Sequence, residues 1–237
     1  MIKPYNTSEN KKKEIKKMFN NIAKSYDTLN RILSLGIDVW WRKKAVKQLN
    51  NPKKILDIAT GTADFAISAA KNTNASIIGI DISDNMLEIG EKKIKKLNLE
   101  DRIILKLGDA EETNFQENSF DAITIGFGVR NFENLDLGLK EMFRILKKNG
   151  KVAILEPSIP TLFPFKQIYN LYFQFLLPKI GGCFSQDKRA YSYLPNSVRS
   201  FPSKKEFLKK LKEIGFTKQK HISLSLGIVS LYIAIKQ

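Results

Sequence analysis

From residue 54 onward, short apolar runs rich in β-branched residues alternate with segments whose apolar positions recur every three or four residues. The runs predict strands over Lys54–Ala59, Ser76–Asp81, Arg102–Leu107, Phe120–Ile125 and Lys151–Leu155. Helices are expected near Asp64–Lys71, from about Asn85 to Leu97 with Ser83 as N-cap, and near Leu135–Leu146. Strands and helices in strict alternation imply a parallel sheet covered on both faces. A further helix, Lys204–Ile214, stops at Gly215, a natural C-cap. Thr217–Ile222 and Ile228–Ile235 then read as an antiparallel pair of strands at the sheet edge, with His221 alternating inside one of them as a structural residue. The fold class is α/β.

Upstream of this core, residues 9–23 set Lys11, Lys12, Lys13, Lys16 and Lys17 against Ile15, Met18, Phe19 and Ile22 at helical spacing. Such a basic amphipathic helix packs on its own domain, lids a site or lies on a membrane surface. Residues 26–41 mix apolar and polar positions, with a break expected at Gly36 and both tryptophans, Trp40 and Trp41, at the end. Residues 1–50 are accordingly expected to form an N-terminal helical cap, and residues 51–237 the core. Within the core, Pro157, Pro160, Pro164, Pro178 and Pro195 punctuate an aromatic insertion at about 157–200. Its Phe163, Phe165, Tyr169, Tyr172, Phe173 and Phe175 suit the wall of an apolar pocket or a buried helix over the sheet.

In open α/β sheets ligands bind beyond the carboxyl ends of the strands. Residues Asp57 to Thr62, Asp81, Asp109-Ala110 and Gly126 to Asn131 converge there. The turn Ala59-Thr60-Gly61-Thr62-Ala63-Asp64 carries a single glycine, whereas a dinucleotide site needs several for the backbone to approach a pyrophosphate. Carboxylates at Asp57 and Asp64 would repel a diphosphate but suit a ligand with a ribose and positive charge. S-adenosylmethionine (SAM) is such a ligand, and Asp81, 20 residues after Gly61, suits its ribose diol. The plainer alternative makes Gly61 a turn residue and Asp81 a strand-end cap.

Charge changes this picture less than its size suggests. Forty basic against 24 acidic residues give +16, which permits attraction to nucleic acid, anionic lipid or acidic partners and selects none of them. The abundance of lysine beside isoleucine and asparagine is equally what codon bias would produce. A lone cysteine, Cys183, excludes an intramolecular disulfide, and the single histidine argues against a zinc site, so no metal is expected. With no apolar N-terminal signal segment and no run of about 20 apolar residues, a cytoplasmic location is expected.

Four separated stretches then carry a family resemblance. They are Tyr26-Asp27-x-Leu29-Asn30-x-x-Leu33-Ser34-x-Gly36 with Trp40, Phe127-Gly128-Val129-Arg130-Asn131, Arg144 through Gly150 to Leu155-Glu156-Pro157-Ser158, and Tyr191-x-Tyr193-Leu194-x-x-Ser197-Val198-Arg199-x-Phe201-Pro202. Together they resemble the ubiquinone/menaquinone biosynthesis C-methyltransferases, class I SAM-dependent enzymes, over nearly the whole chain. The resemblance implies a Rossmann-like, mostly parallel seven-stranded sheet with an antiparallel C-terminal strand. It places SAM at Thr62, Asp81, Asp109 and Ala110, with Gly61 and Gly126 of the neighbouring loops as further cofactor-binding candidates. Asp81 would accept from the ribose hydroxyls and Asp109 from the adenine amino group, with Ala110 contributing its backbone amide. Three positions depart from the family pattern: Gly126 where serine is common, Asp38 where histidine is usual, and Asn149 in place of the first glycine of a pair.

The implied reaction is methylation of a ring carbon of a demethylated isoprenoid quinol. Arg130 is the first candidate to stabilise the phenolate or orient a water, since a guanidinium stays charged and is a poor base. A salt bridge to Glu156 is the structural alternative for Arg130. Asn131, Tyr26 and Asp27 are secondary catalytic candidates. The form of the Ala59–Asp64 loop looks more like members that make only menaquinone, which favours demethylmenaquinol over a benzoquinol of ubiquinone synthesis. Expected partners are that polyprenyl quinol and, peripherally, the anionic inner face of the cell membrane; a homo-oligomer stays open. Nucleic acid is not expected, because the loop after the fourth strand lacks the Asn/Asp-Pro-Pro-aromatic pattern of amino-group methylases acting on flipped bases. Carbon methylation of RNA, a non-enzymatic scaffold and a nicotinamide oxidoreductase are the remaining alternatives.

Overall fold

The computed structural model describes residues 2–171 and 188–237. Tyr172, Phe173, Phe175, Pro178 and Cys183 lie outside the described residues. Two helices come first, α1 (Lys11–Leu33) and α2 (Asp38–Val46). The alternating core follows as β1 (Lys54–Ile58), α3 (Asp64–Asn72), β2 (Ser76–Asp81), α4 (Asp84–Lys96), β3 (Ile103–Leu107), β4 (Phe120–Gly126), α5 (Leu135–Ile145) and β5 (Leu146–Pro157). After it come α6 (Phe165–Leu171), α7 (Lys188–Ser200), α8 (Lys204–Ile214), β6 (Thr217–Leu224) and β7 (Val229–Ile235).

The described strands form one 7-stranded sheet in the order β3-β2-β1-β4-β5-β7-β6. Strand β1 pairs in parallel with both β2 and β4, so the chain winds outward in both directions from β1. The crevice between the carboxyl ends of β1 and β4 is therefore the switch point at which such sheets bind ligands. Strand β7 runs antiparallel to β5 and to β6, as the C-terminal pattern predicts. One core layer packs Trp41, Ala45, Phe65 and Ile67 on the sheet, and the other packs Phe120, Met142, Phe207 and Tyr232. Leu56, Ile58, Ile123 and Ile125 on one face of the central strands, and Ile55 and Leu155 on the other, are fully buried. Each such side chain contributes about 1.5–3 kcal/mol of transfer free energy.

Local signals place the elements. Ser83 caps α4 by accepting from the Met86 amide, and Ser203 with Glu206 forms a capping box on α8. Helix α8 ends on Gly215 at φ 116°. His221 lies in β6 with Nε2 2.9 Å from Ser230 Oγ. Three readings need correction. Helix α1 does not end near residue 23 but continues to Leu33, because Tyr26, Leu29, Asn30 and Leu33 form one helical face over a cavity. Its stop comes at Leu35 and Gly36, both left-handed, with the Gly36 amide bonded to the Arg31 carbonyl at 2.9 Å. Strand β5 begins at Leu146 rather than Lys151, since Leu146 already pairs with Phe120 across an irregular register. Pro195 does not interrupt its segment but lies inside α7, to which it donates no N–H.

Helix α1 packs along α4 through Ile15, Met18 and Ile22 against Met86, with Tyr193 in the same cluster. Polar contacts fix it: Ser83 Oγ donates to Asn20 Oδ1 at 2.6 Å, and Lys16 meets Asp84 at 2.7 Å. Ahead of α1, the amides of Tyr5, Asn6 and Thr7 and the Thr7 hydroxyl all donate to the Glu14 carboxylate at 2.6–3.1 Å. Burial raises the Glu14 pKa, but these four donors outweigh it and leave the carboxyl below its ordinary value.

Candidate active site

Two cavities meet at the carboxyl ends of the strands. The first has an empty volume of about 670 Å³ and is lined by Gly61, Asp81, Gly108, Asp109, Ala110 and Gly126, with Lys12, Ile15 and Phe19 of α1 above. The second, of about 1100 Å³, is lined mainly by apolar side chains, among them Met18, Leu29, Leu33, Trp41, Tyr169 and Val229, with Arg130 on its wall. Phe19, Tyr26 and Phe127 line both, so a ligand in one faces a ligand in the other across these rings.

The loop after β1 is built under tension. Ala59, Gly61 and Ala63 all take left-handed backbone conformations, at φ 51°, 54° and 67°. What holds it is Asp57, fully buried beneath it, which accepts from Thr60 Oγ1 and Thr124 Oγ1 at 2.6 Å each. Burial drives the Asp57 pKa up to about 6, against the pull of the two hydroxyls. Gly128 lets the β1 and β4 loops touch, since a Cβ there would stand 2.6 Å from Ala59 Cβ.

Asp81 sits at the tip of β2 with its carboxylate at the first cavity. Its oxygens accept from the Gly61 amide at 2.8 Å and the Ser83 amide at 2.9 Å. Burial raises its pKa, and the backbone donors act in the opposite direction. Asp109 accepts from the Glu111 amide through Oδ1, and its Oδ2 lies 2.5 Å from Lys12 Nζ. Lys11 is buried and donates from Nζ to the carbonyls of Arg130 and Phe132 at 3.0 and 2.7 Å, and burial lowers its pKa. Helix α1 is thus clasped over the first cavity by its own lysines.

The expected carboxylate environment takes a different form. Asp57 lies under the loop, and Asp64 pairs with Lys93 and with Arg42, so neither lines the first cavity. Thr62 and Asp27 also turn away from it: Thr62 Oγ1 donates to Asp27 Oδ1 at 2.5 Å, and Lys93 Nζ reaches Asp27 at 2.8 Å. Neither residue lines either cavity. Lys93 drew no attention in the sequence because a lysine on a basic helix reads as solvated.

Arg130 is held on three sides. Its guanidinium donates to the Phe127 carbonyl, to Glu156 Oε2 at 3.2 Å and to Ser197 Oγ at 3.3 Å. The pairing with Glu156 considered as the structural alternative is therefore present, and Arg130 lines the second cavity at the same time. Glu156, 1% exposed, also accepts from the Val129 amide at 2.7 Å; burial raises its pKa while Arg130 lowers it. Asn131 accepts from Tyr193 OH at 3.1 Å and lines the first cavity. Burial drives the Tyr193 pKa up to about 12 and raises that of Tyr26, so both phenols are neutral at physiological pH. Tyr193 belongs to a quoted motif but carried no assigned role; only the fold brings it to Asn131.

Two departures from the family pattern have a physical reading. Where a serine is common, a Cβ on Gly126 would stand 3.0 Å from the Phe65 ring, so Phe65 fills that room. Asn149 takes a left-handed φ of 64°, which asparagine tolerates better than most residues, while Gly150 could not carry a Cβ 2.7 Å from the Lys147 carbonyl. Asp38 is buried and bridges Arg31 at 2.8 Å and Arg42, beside the second cavity.

A sheet of this order, with an acid at the tip of β2 beside a cavity at the switch point, defines a class I SAM-dependent methyltransferase. The sequence profile of the ubiE/COQ5 methyltransferase family matches residues 6–236, and the chain belongs to that family. A demethylmenaquinone methyltransferase of Bacteroides fragilis is 43% identical, over 99% of this chain and 97% of its own length. A ubiquinone/menaquinone biosynthesis C-methyltransferase of Citrifermentans bemidjiense is 48% identical, over 95% of this chain and 97% of its own. Among solved structures, a SAM-dependent methyltransferase from Aquifex aeolicus shares the fold, with a TM-score of 0.65 at 15% identity over 91% of this chain and 97% of that one.

The residues present fit SAM. An ionised carboxylate offers about four acceptor positions, and the amides of Gly61, Ser83 and Ile82 approach Asp81, leaving acceptor capacity for a ribose hydroxyl. A Cβ built on Gly61 meets nothing within 4 Å, so the loop backbone is open to a ligand. Among the described residues no group of three or more His, Cys, Asp or Glu side chains is placed to hold a metal ion.

Proposed function

We propose that this enzyme methylates a ring carbon of demethylmenaquinol, with Arg130 as the residue that handles charge on the acceptor. The observation that carries the reading is the adjacency of the two cavities: a site with carboxylates shares Phe19, Tyr26 and Phe127 with a larger apolar one walled by a fixed guanidinium. Asp81 and Asp109 would accept from the ribose and adenine, and the Ala110 amide and the Gly61 and Gly126 backbones would complete the SAM site; Thr62 would contribute through its backbone. SAM supplies an electrophilic methyl group on a sulfonium.

Loss of a phenolic proton makes the adjacent ring carbon of a quinol nucleophilic. Arg130 stays protonated, so its part is to stabilise the phenolate or orient a water that takes the proton. Glu156, Ser197 and the Phe127 carbonyl hold the guanidinium before substrate arrives, which avoids reorganisation at the moment of reaction. Tyr26 and Phe127 position the ring at the junction, Asn131 and Tyr193 orient it, and the apolar cavity covers the start of the prenyl tail. Asp27 acts through Thr62, by holding the SAM loop. A substrate of this kind locates the enzyme at the inner face of the cell membrane.

The benzoquinol of ubiquinone synthesis is the second reading, favoured by the broader name of the relative at 48% identity. Labelled SAM offered with reduced demethylmenaquinone, a demethylated benzoquinol and bulk RNA in parallel decides the matter. Label in the naphthoquinol is expected. Label in both quinols would make the enzyme dual-purpose, and label only in RNA would overturn the quinol assignment.

A further inference from the structure

Three loops come together beside the apolar cavity. The first turn of α2, directly after the α1–α2 turn, is tied to the 225–228 segment by Trp41 Nε1, which donates to Ser225 Oγ at 2.8 Å. The segment after β5 joins them: Ser158 Oγ donates to the Gly227 carbonyl at 2.7 Å, and the Ser158 amide to that of Ile228 at 2.8 Å. Leu33, Ser34 and Ile228, at the roots of these loops, line the cavity. The tips of these loops and the adjoining first turn of α2 are apolar and in water: Leu35 is 84% exposed, Phe163 81%, Leu162 63%, Leu226 57%, Val39 52% and Trp40 46%. Exposed apolar side chains of this size gathered on one rim mark an interaction surface.

Two further observations say what covers it. The rim segments are free of exposed acid: residues 157–171 and 217–231 contain no Asp or Glu, and residues 31–50 contain only Asp38, which is buried and bridged to Arg31 and Arg42. Lys43 on α2 and Lys47 at its C-cap stand exposed, and Lys44 Nζ lies 5.0 Å above the Trp40 ring. Apolar tips with a tryptophan among them and lysines behind match the interface of an anionic bilayer. In addition, Leu35 at φ 52° and Leu226 at φ 59° hold left-handed conformations that favour glycine or asparagine. Folding alone would not choose leucine at either place.

We infer that these three loops dock the enzyme on an anionic bilayer, with the apolar cavity opening into the membrane so that a prenyl quinol enters without crossing water. This rests on the quinol reading above for the identity of the cargo, but not for the docking itself. It also places the contact away from the basic face of α1, whose Lys11, Lys12 and Lys16 are engaged within the protein.

The test is flotation of the full chain with vesicles of phosphatidylglycerol and phosphatidylcholine, together with quenching of tryptophan fluorescence by bromine-labelled lipid. Wild type is expected to bind and to be quenched through Trp40, Trp41 being buried. The double variant Leu35→Asn, Leu226→Asn suits both backbones better, so it should melt no lower than wild type yet bind vesicles at least tenfold more weakly. Phe163→Ser should weaken binding too, whereas Lys13→Ala with Lys17→Ala on α1 should change it less than threefold. With the asparagine pair, methylation of a short-chain, water-soluble naphthoquinol should be unchanged and that of a vesicle-borne long-chain quinol reduced. Absence of wild-type binding, equal binding by the rim variants, or rim variants that convert an oligomer to monomer without altering lipid binding would each overturn the proposal. Wild type that floats with vesicles but methylates neither quinol would refute the quinol reading and leave the docking surface standing.

Discussion

Replacing Glu156 by alanine isolates the interaction that fixes Arg130. The carboxylate is 1% exposed and takes hydrogen bonds from the Val129 amide at 2.7 Å and from the Arg130 guanidinium at 3.2 Å. Its removal leaves a cation with a side chain 9% exposed without its counter-charge, and a buried amide without its acceptor. Breaking a buried pair in this way costs about 3–5 kcal/mol, since the remaining charge keeps its desolvation penalty. For a chain of this size each kcal/mol lowers the melting temperature by about 2–4 °C, which gives a fall of roughly 6–20 °C. Glu156→Gln retains an acceptor for Val129 but loses the charge-assisted bond, and should lose about 1.5–3 kcal/mol. Thermal unfolding followed by circular dichroism measures both. If the alanine variant melts within 2 °C of wild type, Glu156 does not hold Arg130 and the preorganised guanidinium is refuted.

Asp81→Ala should weaken S-adenosylhomocysteine binding by about 10–100-fold, the equivalent of one or two charge-assisted hydrogen bonds, as read by calorimetric titration. Asp57 bears on stability against pH. Its folded pKa of about 6 lies above the unfolded value of 3.8, so the folded state holds the extra proton between them. Stability from this group is therefore greatest below pH 3.8, declines as pH rises to about 6 and is flat above; the gap amounts to roughly 3 kcal/mol. Asp57→Asn removes that slope, so its melting temperature should gain on wild type from pH 4.5 to 7.5. A constant difference between the two proteins would contradict the assignment.

The alternating core was legible because its central strands are buried on both faces and read as nearly continuous apolar runs, as in Val152-Ala153-Ile154-Leu155. The acid at the end of β2 and the loops after β1 and β4 were legible for the same reason, being punctuation between such runs. What the sequence concealed depends on contacts between distant segments. Lys147 to Gly150 reads as a turn, yet the Asn149 amide pairs with the Lys236 carbonyl at 2.6 Å and the strand continues. The length of α1 was hidden because residues 26–33 mix polar and apolar positions; their period emerges only against the cavity that Tyr26, Leu29 and Leu33 face. Asp57 and Asp64 looked like ligand groups because their partners, Thr124, Lys93 and Arg42, come from other elements. Tyr193 reaches Asn131 from 62 residues away, which no local pattern announces.

The most direct test of the division between a SAM cavity and an acceptor cavity is a single-turnover methyl transfer comparing wild type with Arg130→Ala, alongside S-adenosylhomocysteine affinity for each. Arg130 lines the second, apolar cavity and not the first. The rate should fall by about 10²–10³, the usual loss when a preorganised charge donor is removed, while the affinity stays within about threefold. An unchanged rate, or a loss of rate fully accounted for by lost S-adenosylhomocysteine binding, would contradict it.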